Sequence, residues 1–150
     1  MSTNYKSYLK QLEDLLHEYL VKKAPALPTN IKETIVKFAP WAILVIFILT
    51  LPVILFVFGL GALMVPFSFM GGVTAGTNTV ITFVFSAVQM VLEAMAIPGL
   101  FKNSRNAWNL VYYATLVGAV QYVVTFNLGG LLIGSLLSLY ILFQVREHYK

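Results

Sequence analysis

The chain has 150 residues, of which 59% are hydrophobic and only 11% are charged, and its formal net charge is +4. Typical soluble domains carry about 25% charged residues, so this composition argues against a soluble globular protein and also excludes intrinsic disorder. Because the sequence has no cysteine, it cannot form a disulfide framework, an iron–sulfur cluster or a thiolate zinc site.

The positions of the charges indicate a membrane protein. No charged residue lies between Lys37 and Glu93 or between Arg105 and Arg146. One span needs about 20 apolar residues to cross roughly 30 Å of hydrocarbon, so each uncharged stretch holds two spans and a loop. We therefore predict an all-α, polytopic membrane protein with four transmembrane helices and an amphipathic cytoplasmic helix at its N-terminus.

The first predicted element is this amphipathic helix, within residues 1–23. Apolar residues recur at steps of three and four from Tyr5 to Leu20 and form one stripe. The stripe could lie among lipid headgroups, pack on the cytoplasmic face of its own bundle, or pair with a second copy. Acidic residues on the polar face, Glu13 among them, weaken the first alternative, and we favour packing beside the membrane.

Residues 24–37 are predicted to form a linker and a short helix. Pro25 and Pro28 prevent a continuous helix and favour an extended chain. The short helix should then meet Pro40, which either kinks it into the first span or begins that span anew.

The transmembrane domain is predicted over residues 38–146, with spans at about 38–60, 77–97, 107–126 and 130–145. Glycine and proline mark a loop at 61–76, and Asn127-Leu-Gly-Gly130 marks a second turn. All ten Lys and Arg residues then lie on one side, with the tail 147–150. The positive-inside rule therefore places both termini in the cytoplasm and the protein in the inner, or plasma, membrane.

Four span residues are candidates for a polar or transport pathway: Pro52, Gln89, Glu93 and Gln121. Pro52 gives either a hinge or a static kink, and we favour the kink. Gln89 and Glu93 share a helix face, and an acidic group at membrane depth is a functional candidate. Since Glu93 lies near the cytoplasmic end of its span, we favour a salt bridge there, with proton or cation transfer as the alternative. Gln121 could line a wet cavity or hydrogen-bond between helices.

Small residues at steps of four mark the last two spans, where they allow helix backbones to approach closely. They are Gly130, Gly134 and Ser138 on span four and Ala114 and Gly118 on span three. Pairing within one chain is the simpler interpretation because the two spans are consecutive, although the motif also fits a dimer.

The sequence offers no catalytic constellation. His17 and His148 are the only histidines, and neither has a second ligand at metal-binding spacing. No nucleophile elbow or P-loop occurs. We therefore predict no catalytic residue, metal site or cofactor. The basic residues follow one membrane face and form no compact basic domain, so we expect no nucleic-acid partner.

Two segments carry a family resemblance. Residues 98–108 contain a PGLF…R..W pattern, and residues 140–149 read Y.LFQ.R..Y. The chain resembles a group of small uncharacterised bacterial four-helix integral membrane proteins. The resemblance implies a bacterial inner-membrane setting and assigns no activity. In and beside these segments lie the predicted anchors at the inner membrane interface, which are Lys102, Arg105, Trp108, Arg146 and Tyr149.

From these features we expect a non-enzymatic scaffold, assembly factor or accessory subunit. It would contact membrane lipid and act as a homo-oligomer or with a membrane-protein partner. The alternative is a small channel or transporter, which at four spans would need oligomerisation to enclose a pathway.

Overall fold

The computed structural model describes the backbone of residues 2–150 and the side chains of residues 5–49, 51–52, 54–56 and 58–150. Over residues 2–150 the chain forms helices and turns and no strand, so the all-α prediction is confirmed. Helix α1 (Ser2–His17) continues as a π-helical segment, Glu18–Lys23, and α2 spans Thr29–Ser68. Helix α3 covers Val73–Phe101 and α4 covers Arg105–Val124. A second π-helical segment, Gly130–Leu136, continues into α5 (Leu137–Gln144). Two 3₁₀ turns complete the chain, at Phe69–Gly71 and Arg146–His148.

The linker between α1 and α2 is extended at both of its ends. Ala24 has ψ 152° and Pro28 has ψ 145°. Because a proline cannot donate a backbone hydrogen bond and restricts the residue before it, the helix that begins at the N-terminus cannot pass through this segment.

Helix α2 differs from the predicted boundaries. It is one continuous helix of 40 residues that contains Pro40, Pro52 and Pro66. The predicted short helix before residue 38 is therefore the first part of α2. Most of the predicted loop at 61–76 is helical. In apolar surroundings a broken helix would leave many backbone groups without partners, whereas each proline removes only one hydrogen bond. At 1.5 Å per residue α2 is about 60 Å long, twice the thickness of a hydrocarbon core.

The reversals between the later helices use left-handed residues. The α2–α3 turn ends at Gly72, whose φ of 108° is accessible mainly to glycine. Asn103 in the α3–α4 turn has φ 49°, and Phe126 after α4 has φ 54°. The Asn127 Oδ1 atom accepts a hydrogen bond of 2.9 Å from the Gly130 N–H, which fixes the start of the last helical segment.

The buried core lies at one end of the molecule. It includes Val36 near the start of α2, Leu100 at the end of α3, Trp108 at the start of α4 and Phe143 at the end of α5. The opposite end exposes large apolar side chains on α2, such as Leu63 at 66%. Helices α2 to α5 are therefore held together mainly at the end of the molecule that carries the charged residues.

One helix in the described part of the chain, α3, is long and apolar enough to cross a membrane. Only 6% of its most apolar 18-residue stretch is buried within the molecule, whereas the core helix of a soluble protein would be mostly buried. Among the described residues, the apolar helical segments Phe58–Gly71 and Gly130–Gln144 are shorter than a full span.

Candidate functional site

A cluster of arginines and aromatic rings lies at the end of the molecule that holds the buried core, which we call the base. We call Arg105, Trp108, Tyr112, Phe143 and Arg146 the arginine–aromatic cluster. The Trp108 and Tyr112 rings stack with centroids 5.4 Å apart, and the edge of Phe143 contacts both rings. The two guanidinium groups lie over the Trp108 ring, at 4.5 Å for Arg105 and 5.1 Å for Arg146. Two cations therefore lie close to one indole ring.

The two arginines share one carboxylate, which comes from α1. The Arg146 guanidinium donates to Glu13 Oε1, and the Arg105 Nη2 atom lies 3.9 Å from the same oxygen. Arg105 also donates a hydrogen bond of 3.2 Å to the Arg146 carbonyl. Glu13 therefore connects the N-terminal helix to α4 and to the C-terminal turn.

Four of the five predicted interface anchors meet at this base. Trp108 is fully buried and donates a hydrogen bond of 2.9 Å from Nε1 to the Leu142 carbonyl, so its ring contacts protein. Tyr149 is also buried, and burial raises the pKa of its phenol. Arg105 and Arg146 belong to the arginine–aromatic cluster. Lys102 lies exposed in the α3–α4 turn, outside it.

Gln144 secures the linker, a role that the sequence analysis did not assign to it. Its side chain is 1% exposed. The Nε2 atom donates to the Leu20 carbonyl at 2.8 Å, and Oε1 accepts from the Leu27 N–H at 3.2 Å. The Tyr140 hydroxyl donates to the Pro25 carbonyl nearby. One buried amide therefore satisfies backbone groups on both sides of the break between α1 and α2.

The C-terminal tail closes the same end of the molecule. The Lys150 N–H donates to the Asn103 carbonyl at 2.9 Å, and the Arg105 N–H donates to the Lys150 carbonyl at 2.7 Å. Lys32 Nζ lies 3.0 Å from Glu147 Oε1. The tail thus joins the start of α2 to the α3–α4 turn.

A central cavity of about 330 Å³ lies between α2, α3, α4 and α5. Its lining is mostly apolar and includes one ionisable span residue, Glu93, with the hydroxyl residues Thr115 and Ser138. A second cavity of about 150 Å³ between α2 and α3 also includes Glu93, together with Gln89 and Ser86. These polar side chains therefore follow one face of α3 towards the central cavity.

The favoured salt bridge of Glu93 is not found. Arg105 contacts Glu13 instead, and no ion pair among the described residues includes Glu93. The physical reason is direction, since Arg105 faces α1 whereas Glu93 faces the cavities bordered by α2. Of the other pathway candidates, Gln89 joins Glu93, but Pro52 and Gln121 line neither of these two cavities.

The small residues receive larger side chains from neighbouring helices. A Cβ atom on Gly130 would lie 2.5 Å from the Tyr122 ring, and one on Gly134 would lie 3.2 Å from it. Gly118 faces α3, and a Cβ atom at this position would lie 2.9 Å from the Gln89 Nε2 atom. The absence of a side chain therefore makes room for the Gln89 amide. Ala114 is buried, and Ser138 lines the central cavity. Close contacts between α4 and the last helical segment thus occur within one chain.

Comparison with protein-family models, with curated proteins and with solved structures finds no match to the chain. Over the described residues, no group of three or more His, Cys, Asp or Glu side chains could hold a metal ion. The interpretation of function therefore depends on the geometry of the base, the cavities and the exposed surfaces.

Proposed function

We propose that the chain is a small integral membrane protein with four spans and cytoplasmic termini, which acts as a non-enzymatic scaffold or accessory subunit in an oligomer. The observation that supports membrane insertion is the exposure of large apolar side chains along α2 and α3, for example Phe56 at 65% and Val73 at 76%. A contiguous apolar surface of this kind is rarely left in water. The basic residues lie at the end of the molecule that holds the buried core, away from this apolar surface, and this position fits a cytoplasmic face.

The scaffold role is supported by the way in which α1 is held. One face of α1 contacts the bundle through Glu13 and Leu16. A second face, which continues into the π-helical segment Glu18–Lys23, remains exposed and carries apolar and aromatic residues at heptad-like spacing, namely Tyr5, Tyr8, Leu12, Leu15 and Tyr19. A fixed helix with a free apolar stripe provides a contact surface for a second copy or a partner helix.

Cross-linking in native membranes tests the scaffold proposal. We expect the wild-type chain to cross-link as a dimer or higher oligomer, and we expect Leu15→Lys to lose this product because it places a charge within the stripe. Gln11→Lys is the matched control, since Gln11 is an exposed polar residue of the same helix. A monomeric wild type, or a Leu15→Lys variant that cross-links normally, would contradict the proposal.

A transport pathway is the second candidate, and the two cavities that meet at Glu93 favour it. Glu93 is a carboxylate in a mostly apolar cavity, forms no ion pair with a described residue and is approached by Ser86 and Gln89, so it is suited to a proton or a small cation. The test is proton flux in proteoliposomes. Glu93→Gln should abolish a flux that Glu33→Gln, a matched change outside both cavities, retains. Equal flux in both variants would exclude Glu93 as a carrier.

A further inference from the structure

A third cavity, of about 410 Å³, lies between α1 and α4 at the base of the bundle. It is lined by Lys6 and Lys10 from α1, Tyr112 and Tyr113 from α4, and Arg146 from the C-terminal turn. This cavity takes no part in the contacts that secure the linker or in the cavities around Glu93.

The electrostatic balance of this cavity is positive. Its lining contains three cationic side chains and two carboxylates, those of Glu13 and Asp14. Glu13 already binds Arg146 and also contacts Arg105, which lies outside the lining. Glu13, one of the acidic residues that weaken lipid binding in the sequence, is therefore neutralised within the fold. Lys6 and Lys10 then face an opening with Asp14 as the remaining carboxylate.

A buried hydroxyl group in the same lining has no hydrogen-bond partner among the described residues. Tyr112 is 2% exposed, and its hydroxyl makes no hydrogen bond to any described residue. Buried polar groups are almost always hydrogen-bonded, so this donor indicates a missing acceptor. An acceptor that also attracts lysine side chains is an anionic oxygen, as in a phosphate.

We propose that this cavity binds the phosphate-bearing headgroup of an anionic phospholipid. The inference rests on the proposed membrane topology, which places the start of α4 at the cytoplasmic surface. Tyr112 lies seven residues beyond Arg105, about 10 Å along the helix, so the cavity lies at the cytoplasmic end of the span predicted at 107–126. Leu9 and the half-exposed ring of Tyr113 supply an apolar wall beside the polar groups, which suits a lipid better than free phosphate.

The site has a defined division of roles. Lys6 and Lys10 supply the charge attraction, and each lysine near an anionic surface strengthens binding about fivefold. The Tyr112 hydroxyl donates to a phosphate or ester oxygen and fixes the depth of the headgroup. The bound lipid would join α1 to α4 in addition to Glu13.

The test measures lipid binding to the purified full-length chain in detergent, by native mass spectrometry and by thermal shift. The probes are phosphatidylglycerol, phosphatidylcholine and inorganic phosphate. We expect phosphatidylglycerol to bind most tightly. Lys6→Gln/Lys10→Gln should weaken it roughly 25-fold, the product of two fivefold effects. Lys22→Gln/Lys23→Gln is the matched control, because it removes two exposed lysines outside this cavity.

Tyr112→Phe separates the site from general stability. It should weaken phosphatidylglycerol binding about fivefold while leaving the lipid-free melting temperature unchanged or higher, since it removes an unpartnered hydroxyl. Equal binding of the two lipids, or an equal loss in the control pair, would overturn the proposal. Inorganic phosphate binding as tightly as phosphatidylglycerol would overturn the lipid assignment. If lipid binding fails while the external labelling of Met70 described in the Discussion succeeds, the site alone is refuted and the topology stands.

Discussion

Replacing Gln144 by leucine should release the linker between α1 and α2. The change removes the donor to the Leu20 carbonyl and the acceptor for the Leu27 N–H, so both backbone groups lose their partner. An orphaned buried group costs about 1–3 kcal/mol, and both bonds are only partly buried, so we expect a total near 3 kcal/mol. Because about 1.4 kcal/mol is a tenfold change in an equilibrium, the linker should open about a hundred times more often.

Limited trypsin digestion in detergent measures this opening, since Lys22 and Lys23 directly precede the linker. When opening is fast compared with cleavage, the cleavage rate follows the population of the open form. Gln121→Leu is the matched control, because it removes the same amide from a half-buried position in α4 that makes no described side-chain hydrogen bond. Gln144→Glu keeps an acceptor for Leu27 and should be intermediate. Wild-type cleavage of Gln144→Leu, or equal cleavage of the control, would refute the reasoning.

Two further predictions concern helix packing and pH. Gly130→Ala would push a methyl group into the Tyr122 ring and should destabilise the chain by about 1–3 kcal/mol, read as a lower melting temperature. Gly129→Ala is its control, because its nearest neighbouring atom outside the local backbone is 3.8 Å away, and equal losses would contradict the packing. The hydrogen bond and charge of Lys32 lower the pKa of Glu147 below its usual 4.5, so this pair stabilises the chain above that pH and is lost as the pH falls. Glu147→Gln should therefore cost under about 1 kcal/mol at neutral pH and progressively less as the pH falls below 4.5, and a loss that stays constant in acid would contradict the assignment.

The helical class and several boundaries follow directly from the sequence. Apolar runs predict helices at 107–126 and 130–145, and the structure has helices at Arg105–Val124 and from Gly130 to Gln144. Pro25 and Pro28 mark the linker because their missing N–H groups and restricted angles act locally. Local chemistry of this kind can be interpreted without knowing what packs nearby.

Other features depend on long-range contacts that a single sequence does not reveal. Pro40, Pro52 and Pro66 do not end α2. Breaking an apolar helix costs more free energy than losing the one backbone hydrogen bond that each proline removes. The partner of Arg105 is Glu13, more than 90 residues away along the chain, and not Glu93, as expected from proximity in sequence. The direction in which each helix faces decides these pairs, and that direction depends on how all the helices pack together.

The contacts of Gln144 were not predicted from the sequence, although the sequence contains a signal for them. A linker with two prolines leaves backbone groups without helical partners, and a glutamine in the last turn of an apolar helix can supply both a donor and an acceptor. The exposed stripe on α1 has a similar explanation. The sequence predicts one apolar stripe, and the fold uses only its Leu16 and Leu20 edge against the bundle.

The central claim, a four-span protein with one basic cytoplasmic face, is tested most directly by cysteine labelling in intact cells. The sequence has no native cysteine, so single substitutions at exposed sites report their own side of the membrane. Met70→Cys and Leu128→Cys, at positions 83% and 67% exposed, should react with a membrane-impermeant maleimide from outside. Lys102→Cys should react only after the membrane is permeabilised. Labelling of Lys102→Cys in intact cells, or protection of Met70→Cys until permeabilisation, would contradict the topology.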